Sequence, residues 1–124
     1  MIVADTDVLI DALRGKGARA RVERELAAGR LATTVISSFE LCSGARTATE
    51  LQTVETLLGA LRILDVDDAA ARAAAAIRRS LEARGAGIGT ADYLIAGICL
   101  TRSAVLLTRN QEHFRRVDGL NLAE

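Results

Sequence analysis

The chain has 124 residues and no net formal charge, with half of its residues hydrophobic and about a quarter charged. This composition predicts one globular domain spanning residues 1–124. Only two Phe and one Tyr are present, so binding of single-stranded nucleic acid by base stacking is not favoured. No signal peptide opens the chain and no apolar run is long enough to cross a bilayer, so we expect a cytoplasmic protein with no membrane partner.

The chain opens with an apolar run, Met1–Ala4, that meets Asp5 and is followed by Thr6 and Asp7. Short runs rich in Ile and Val are typical of buried strands. Ligands of open α/β sheets bind at the carboxyl ends of the strands, so Asp5 is a candidate site residue. The same pattern is equally consistent with a helix cap, because Asp is a favoured N-cap.

Strand-like and helix-like segments alternate along the rest of the chain. After the first strand, the pattern predicts helices over Val8–Leu13 and Ala18–Ala28, a strand over Leu31–Ile36, helices over Ser37–Arg46 and Thr49–Ala60, a strand over Leu61–Val66, helices over Asp67–Arg84 and Thr90–Arg102, a strand over Ala104–Thr108, a short helix over Asn110–Arg116 and a weak edge strand over Gly119–Leu122. Such alternation predicts an α/β fold in which helices flank a central, mostly parallel sheet of four to five strands.

Three further polar residues stand near a strand end or at the start of a helix: Glu40, Asp92 and Asn110. Glu40 fits a capping box with Ser37, in which the Glu side chain reaches back to the N–H of the cap residue. Asp92 enters a helix whose next eight residues carry no charge, and a partly buried carboxylate there needs a partner. Asn110 is a good N-cap, and its amide oxygen is also a suitable ligand for a hard cation.

Carboxylates gathered at one sheet edge would repel one another unless a cation joined them. Mg²⁺ or Mn²⁺ suits such an all-oxygen site and keeps several waters, one of which could attack phosphorus in line. His113 is the only histidine and has no partner at metal-binding spacing, so we expect a surface residue there. Cys42 and Cys99 lie in apolar helical contexts and are expected to be buried.

Two other families of the same fold class each share one feature with this chain. The haloacid-dehalogenase-type phosphatases share the opening Asp5-Thr6-Asp7 pattern, and the receiver domains of two-component signalling share the chain length. Both need a lysine late in the chain to neutralise a phosphoryl group, and the only lysine here is Lys16. Neither family fits.

Four blocks of the chain, in their order and spacing, resemble the PIN-domain ribonucleases, and specifically the VapC toxins of VapBC toxin–antitoxin systems. These blocks are residues 1–11, 36–44, 90–96 and 107–120. The resemblance covers nearly the whole chain. It implies that Asp5, Glu40 and Asp92 form an acidic metal site. It also implies that Asn110 takes the family's fourth polar position, which is often Asp.

The resemblance further implies that Thr6 and Thr108 are supporting hydroxyls, while Asp7 is either a supporting residue or a helix cap. The implied activity is Mg²⁺- or Mn²⁺-dependent endonucleolytic cleavage of RNA, which inhibits translation. The implied partners are a VapB-type antitoxin, whose C-terminal segment covers the active site, and a second copy in a homodimer. Two alternatives stay open: an inactive PIN-like module that binds RNA or protein, and a structure-specific DNA nuclease.

Overall fold

A computed structural model describes residues 1–124, in which seven helices flank a five-stranded sheet. The strands are β1 (Ile2–Ala4), β2 (Leu31–Thr34), β3 (Arg62–Leu64), β4 (Val105–Leu107) and β5 (Asn121–Leu122). The helices are α1 (Thr6–Arg14), α2 (Arg19–Ala27), α3 (Val35–Gly44), α4 (Ala48–Gly59), α5 (Asp68–Ala83), α6 (Thr90–Thr101) and α7 (Gln111–Phe114).

The sheet has the order β3-β2-β1-β4-β5, and every neighbouring pair of strands is parallel. The predicted α/β fold with four to five mostly parallel strands is therefore confirmed, and the sheet proves to be parallel throughout. In the register of the two central strands, Ala4 lies opposite Leu107. The pairing extends one residue further, because the backbone N–H of Asp5 donates to the carbonyl of Leu107 at 2.9 Å.

Two hydrophobic cores lie on opposite faces of the sheet. Val3 and Leu106 contribute to the core that α5 and α6 cover, whereas Ala4 and Leu107 contribute to the core beneath α1 and α2. This division follows from the strand pleat, which points successive side chains to opposite faces. Because each central strand is buried on both faces, its sequence is apolar without alternation, as in other parallel sheets.

Helix α3 begins earlier than predicted. Strand β2 ends at Thr34 instead of Ile36, and the Thr34 hydroxyl accepts a hydrogen bond from the backbone N–H of Ser37 at 3.2 Å. Thr34 is therefore the N-cap, and the predicted capping box between Ser37 and Glu40 is wrong. The physical reason is that the Thr34 hydroxyl already caps the first turn, which places Glu40 in the second turn.

Helix α6 is the apolar helix of the sequence, and it packs tightly against α5. A Cβ atom at Gly97 would overlap the carbonyl oxygen of Ala70 and lie 2.9 Å from the backbone nitrogen of Ala74.

Cys99, on the same helix, is fully buried, as predicted, whereas Cys42 is only partly buried. The pKa of the Cys99 thiol is raised to about 12, mainly by burial and to a lesser extent by the charge of the Asp5 carboxylate. No helix combines the length and apolar character needed to cross a membrane.

Candidate active site

Two side chains meet at the carboxyl end of the central strands because of the strand register. Asp5 follows β1 and Thr108 follows β4, and the Thr108 hydroxyl donates to Oδ2 of Asp5 at 2.7 Å. The other carboxylate oxygen, Oδ1, accepts the backbone N–H of Thr6 at 2.8 Å. Asp5 is thus the N-cap of α1 as well as a buried carboxylate, 7% exposed. The two interpretations of Asp5 from the sequence, as a helix cap and as a candidate site residue, are therefore compatible.

The hydroxyl of Thr6 links this strand end to Glu40 on α3. Thr6 Oγ1 donates to Oε1 of Glu40 at 2.7 Å and lies 2.9 Å from the hydroxyl oxygen of Ser37. A hydroxyl has one proton to donate, so the Ser37 hydroxyl supplies the proton of the second contact. Ser37 is fully buried, and it therefore anchors Thr6 between Asp5 and the Glu40 carboxylate.

Asp92 lies in the first turn of α6, near enough to Asp5 for its charge to contribute to the raised pKa of Asp5, and it faces His113. Nδ1 of His113 lies 3.5 Å from Oδ2 of Asp92 and 2.9 Å from the amide nitrogen of Asn110. A bond from the amide requires Nδ1 to be unprotonated, whereas a bond to the carboxylate requires it to be protonated. His113 can therefore satisfy only one of the two at a time. Asn110 occupies the N-cap position of α7, but its side chain makes no capping bond.

Asp7 stabilises the turn that follows β4, which contains Thr108 and Arg109. Its Oδ2 accepts the backbone N–H of Arg109 at 3.0 Å and lies 3.4 Å from the Thr108 hydroxyl. The backbone N–H of Asn110 donates in turn to the Thr108 hydroxyl at 3.0 Å. The other oxygen of Asp7, Oδ1, is buried and has no hydrogen-bond partner. Asp7 is thus a supporting residue of the turn, and Asp5 is the one that caps α1.

The site is electrostatically unbalanced. Burial, with smaller contributions from the neighbouring carboxylates of Asp7 and Asp92, raises the pKa of Asp5 from 3.8 to about 6, although the hydrogen bonds from Thr108 and Thr6 oppose this shift. Burial also raises the pKa of Asp7, against bonds and charge from Arg109. None of Asp5, Asp7 and Glu40 takes part in an ion pair. Asp5 and Glu40 therefore have no directly paired cation, and Asp7 interacts with the charge of Arg109 only from beyond ion-pair distance.

The donor types at the site fit a divalent cation. Carboxylate oxygens from three elements, an amide and two hydroxyls form an all-oxygen set of the kind that Mg²⁺ and Mn²⁺ prefer. A cation would also favour the ionised form of Asp5, whose pKa is raised by burial and, to a lesser extent, by the carboxylates of Asp7 and Asp92. No three His, Cys, Asp or Glu side chains are close enough together in this structure to hold an ion.

A cleft of about 550 Å³ opens beside Glu40. Its apolar walls include Ile10, Leu41 and Val54, and two arginines, Arg14 and Arg46, border it. The side chains of Asp5, Asp92 and Asn110 do not line this cleft. The cleft is therefore a neighbouring surface that shares Glu40 with the acidic site.

The sequence pattern predicted the principal polar residues around one sheet edge, but it gave no role to His113. The side chain is 41% exposed, so it does reach the surface, yet the imidazole also contacts both Asn110 and Asp92. One signal was available: His113 follows Asn110 by three residues, the spacing of neighbours on a helix face. The contact with Asp92 depends on the tertiary fold and had no signal in the sequence.

The fold and site together define a class of protein: a parallel α/β domain with an acidic, oxygen-rich site at the carboxyl edge of its sheet. Comparison with known proteins agrees with this class. The PIN domain family matches residues 2–120. A Mycobacterium tuberculosis protein, "Ribonuclease VapC10", is 38% identical over 121 residues, 97% of this chain and 90% of the relative. The "tRNA(fMet)-specific endonuclease VapC" of Shigella flexneri is 31% identical over 120 residues, 94% and 91% of the two chains.

Solved structures give the same result. The fold superposes with a TM-score of 0.89 on a chain of the DNA-bound VapBC complex from Salmonella typhimurium, at 29% identity, covering 98% of this chain and 96% of the other. It superposes with a TM-score of 0.87 on a chain of VapBC2 from Rickettsia felis, at 26% identity, covering 99% and 98%. This chain belongs to the PIN-domain family, in its VapC group.

Proposed function

We propose that this chain is the toxin of a VapBC-type toxin–antitoxin pair, an endoribonuclease that requires a divalent metal ion and inhibits translation by cutting RNA. The observation that carries the proposal is the buried Asp5 carboxylate, which lies at the end of a central strand without a cationic partner. The naming of two relatives as a ribonuclease and a tRNA endonuclease supports RNA as the substrate. The domain comprises residues 1–124.

In this proposal Asp5, Glu40 and Asp92 hold Mg²⁺, or alternatively Mn²⁺, and Asn110 completes the polar site. When bound, the metal supplies a Lewis acid and lowers the pKa of a coordinated water so that it can attack phosphorus. Asp5 is held in position by its bonds from Thr6 and Thr108. A bound cation would neutralise the negative charge of the acidic site, and the site would then no longer repel the phosphate backbone of RNA.

Glu40 has a second task in the proposal, because it borders both the acidic site and the adjacent cleft. Its carboxylate oxygen Oε1 accepts a hydrogen bond from the Thr6 hydroxyl, with 2.7 Å between the two oxygens. The Thr6 hydroxyl holds the Glu40 carboxylate next to the Asp5 end of the site, where Glu40 would be available as a metal ligand.

The proposed partners are a VapB-type antitoxin and a second copy of this chain. Solved structures of relatives with closely similar folds are described as VapBC complexes, which supports an antitoxin partner here. We propose that the antitoxin's C-terminal segment covers the active site, and that the toxin acts in the cytoplasm, where its RNA substrate is found. The oligomeric state is testable by light scattering of the purified chain.

The decisive experiment compares the purified wild-type chain with Asp92→Asn on total RNA and on initiator tRNA, with Mg²⁺, with Mn²⁺ and with excess chelator. Wild-type protein should cut RNA only with metal, and Asp92→Asn should not cut it. The matched control is Asp68→Asn, an exposed carboxylate at the start of α5, which should retain full activity. RNA binding without cleavage under every condition would identify an inactive binding module. Preferential cleavage of structured DNA would identify a DNA nuclease.

A further inference from the structure

Arg109 is held on both its backbone and its side chain by two aspartates of α1. Asp7 accepts the Arg109 backbone N–H at 3.0 Å, and Asp11 Oδ2 lies 3.1 Å from Nε of the Arg109 guanidinium. Asp7 and Asp11 are four residues apart, which places them on one face of the helix. The residue between Thr108 and Asn110 is thus fixed from two directions by a single helix.

Asp11 is an unusual residue for a surface helix, because its side chain is only 3% exposed, whereas that of Arg109 is 59% exposed. Its Oδ2 also accepts the backbone N–H of Ala18 at 3.1 Å. Gly17 lies against this carboxylate, and any Cβ there would overlap Oδ2 and Cγ of Asp11. The loop between α1 and α2 is therefore built to accommodate the Asp11 carboxylate.

A buried carboxylate needs a charged or hydrogen-bonded partner, and Arg109 is the only cation paired with Asp11. The ion pair joins three segments: helix α1, the loop after it, and the turn of residues 108–110 that follows β4. That turn carries the Thr108 hydroxyl, which bonds Asp5, and the Asn110 amide, which faces His113. The position of the turn therefore depends on what holds Arg109.

We propose that the Asp11–Arg109 ion pair is a positioning device that holds the turn of residues 108–110 at the acidic site. Arg109 is in this view a positioning residue and not a group that contacts the substrate. The inference rests on the proposed nuclease function for its effect on catalysis. Its effect on the backbone of the turn can be measured without any substrate or metal.

The test uses Arg109→Gln, Asp11→Asn and the double variant, with Arg72→Gln as the matched control. Arg72 lies on α5 and forms an ion pair with Asp68 in which the two side chains are 80% and 81% exposed. Hydrogen exchange of the Arg109 and Asn110 amides is followed by NMR in metal-free protein. Rates of RNA cleavage with Mg²⁺ are resolved into kcat and KM.

The expected result for Arg109→Gln is exchange of both amides at least about tenfold faster and a kcat about 10- to 100-fold lower, with KM within about twofold of wild type. Asp11→Asn should change the same quantities in the same direction, and Arg72→Gln should change none. Replacing Arg109 alone leaves the buried Asp11 charge unpaired, which destabilises the fold. The double variant removes that charge, so it should recover thermal stability while kcat and amide protection stay low.

Unchanged amide exchange and unchanged kcat in a folded Arg109→Gln or double variant would overturn the proposal. A rise in KM with kcat and exchange unchanged would also overturn it, because Arg109 would then contact RNA. Recovery of kcat along with stability in the double variant would show that only general stability was involved. If the wild-type chain cuts no RNA, the nuclease proposal fails, and the exchange rates alone decide whether the ion pair positions the turn.

Discussion

Thr108 and Asp5 are 103 positions apart in the chain, yet the hydroxyl of Thr108 donates a 2.7 Å hydrogen bond to the Asp5 carboxylate. The bond follows from the parallel register of β1 and β4, which places Ala4 opposite Leu107 and the next residues side by side. The same hydroxyl accepts the Asn110 N–H. Thr108 therefore connects a proposed metal ligand with the turn that carries the fourth polar residue.

Replacing Thr108 with Val should weaken metal binding. The substitution removes a hydrogen bond that lowers the pKa of Asp5, so the carboxylate becomes less available to a cation at neutral pH. We expect Mn²⁺ affinity, measured by calorimetry, to fall about 10- to 100-fold. Thr108→Ser retains the hydroxyl and should stay close to wild type. Equal affinities for the Val and Ser variants would contradict this role.

Replacing Asp5 with Asn should stabilise the metal-free protein at neutral pH while abolishing cleavage. The folded-state pKa of Asp5 is raised from 3.8 to about 6, so the folded protein binds this proton more tightly than the unfolded chain does. Stability from Asp5 is therefore present below pH 3.8 and lost as pH rises towards 6. Above that pH the ionised carboxylate costs up to about 3 kcal/mol, at about 1.36 kcal/mol per unit of pKa.

The measurement is urea unfolding of wild type and Asp5→Asn in chelator at pH 7 and at pH 4. The advantage of Asn over Asp should be largest at pH 7 and should shrink at pH 4, where the wild-type carboxyl is mostly protonated. Saturating Mg²⁺ should stabilise the wild type alone. An Asn variant that is less stable than wild type at pH 7 would show that burial does not destabilise the Asp5 carboxylate.

Replacing Asn110 with Asp should strengthen metal binding at the expense of the metal-free fold. The substitution adds a carboxylate across the His113 imidazole from the Asp92 carboxylate, and like charges repel in the absence of a cation. We expect Mn²⁺ to bind about tenfold more tightly and the melting temperature in chelator to fall. Asn110→Ala, which adds no charge, is the control. Unchanged affinity in the Asp variant would place residue 110 outside the metal's reach.

Replacing Gly97 with Ala should destabilise the protein strongly. The added Cβ would overlap the Ala70 carbonyl on α5, where neither backbone can shift easily, and overpacking of this kind costs about 1–3 kcal/mol or more. Gly59 ends helix α4, and a Cβ added there would have no other atom within 4 Å, so Gly59→Ala should be neutral or slightly stabilising. Similar unfolding midpoints for the two variants would refute the close packing of α5 and α6.

Local sequence was sufficient to predict the order and type of nearly every element, because the strand segments are short apolar runs bounded by glycine or capping residues, and the longer segments have helical spacing. The end of β2 was misplaced, since Val35 and Ile36 have high strand propensity, yet the Thr34 hydroxyl caps a helix that begins with them. Strand propensity alone cannot predict whether a pair of β-branched residues extends a strand or begins a helix that a side chain caps.

The sequence by itself determined that Asp5 follows a strand and that Asp92 lies in the first turn of an apolar helix, because short apolar runs and uncharged helical segments are local patterns. Parallel strands then place their carboxyl ends at one edge of the sheet. Only the tertiary structure decided the contacts among them: the Thr6 hydroxyl on Glu40, the His113 imidazole beside Asp92, and the Arg109 guanidinium on Asp11. These pairs join residues far apart in the chain, and their geometry depends on strand register and helix packing, which no local pattern encodes.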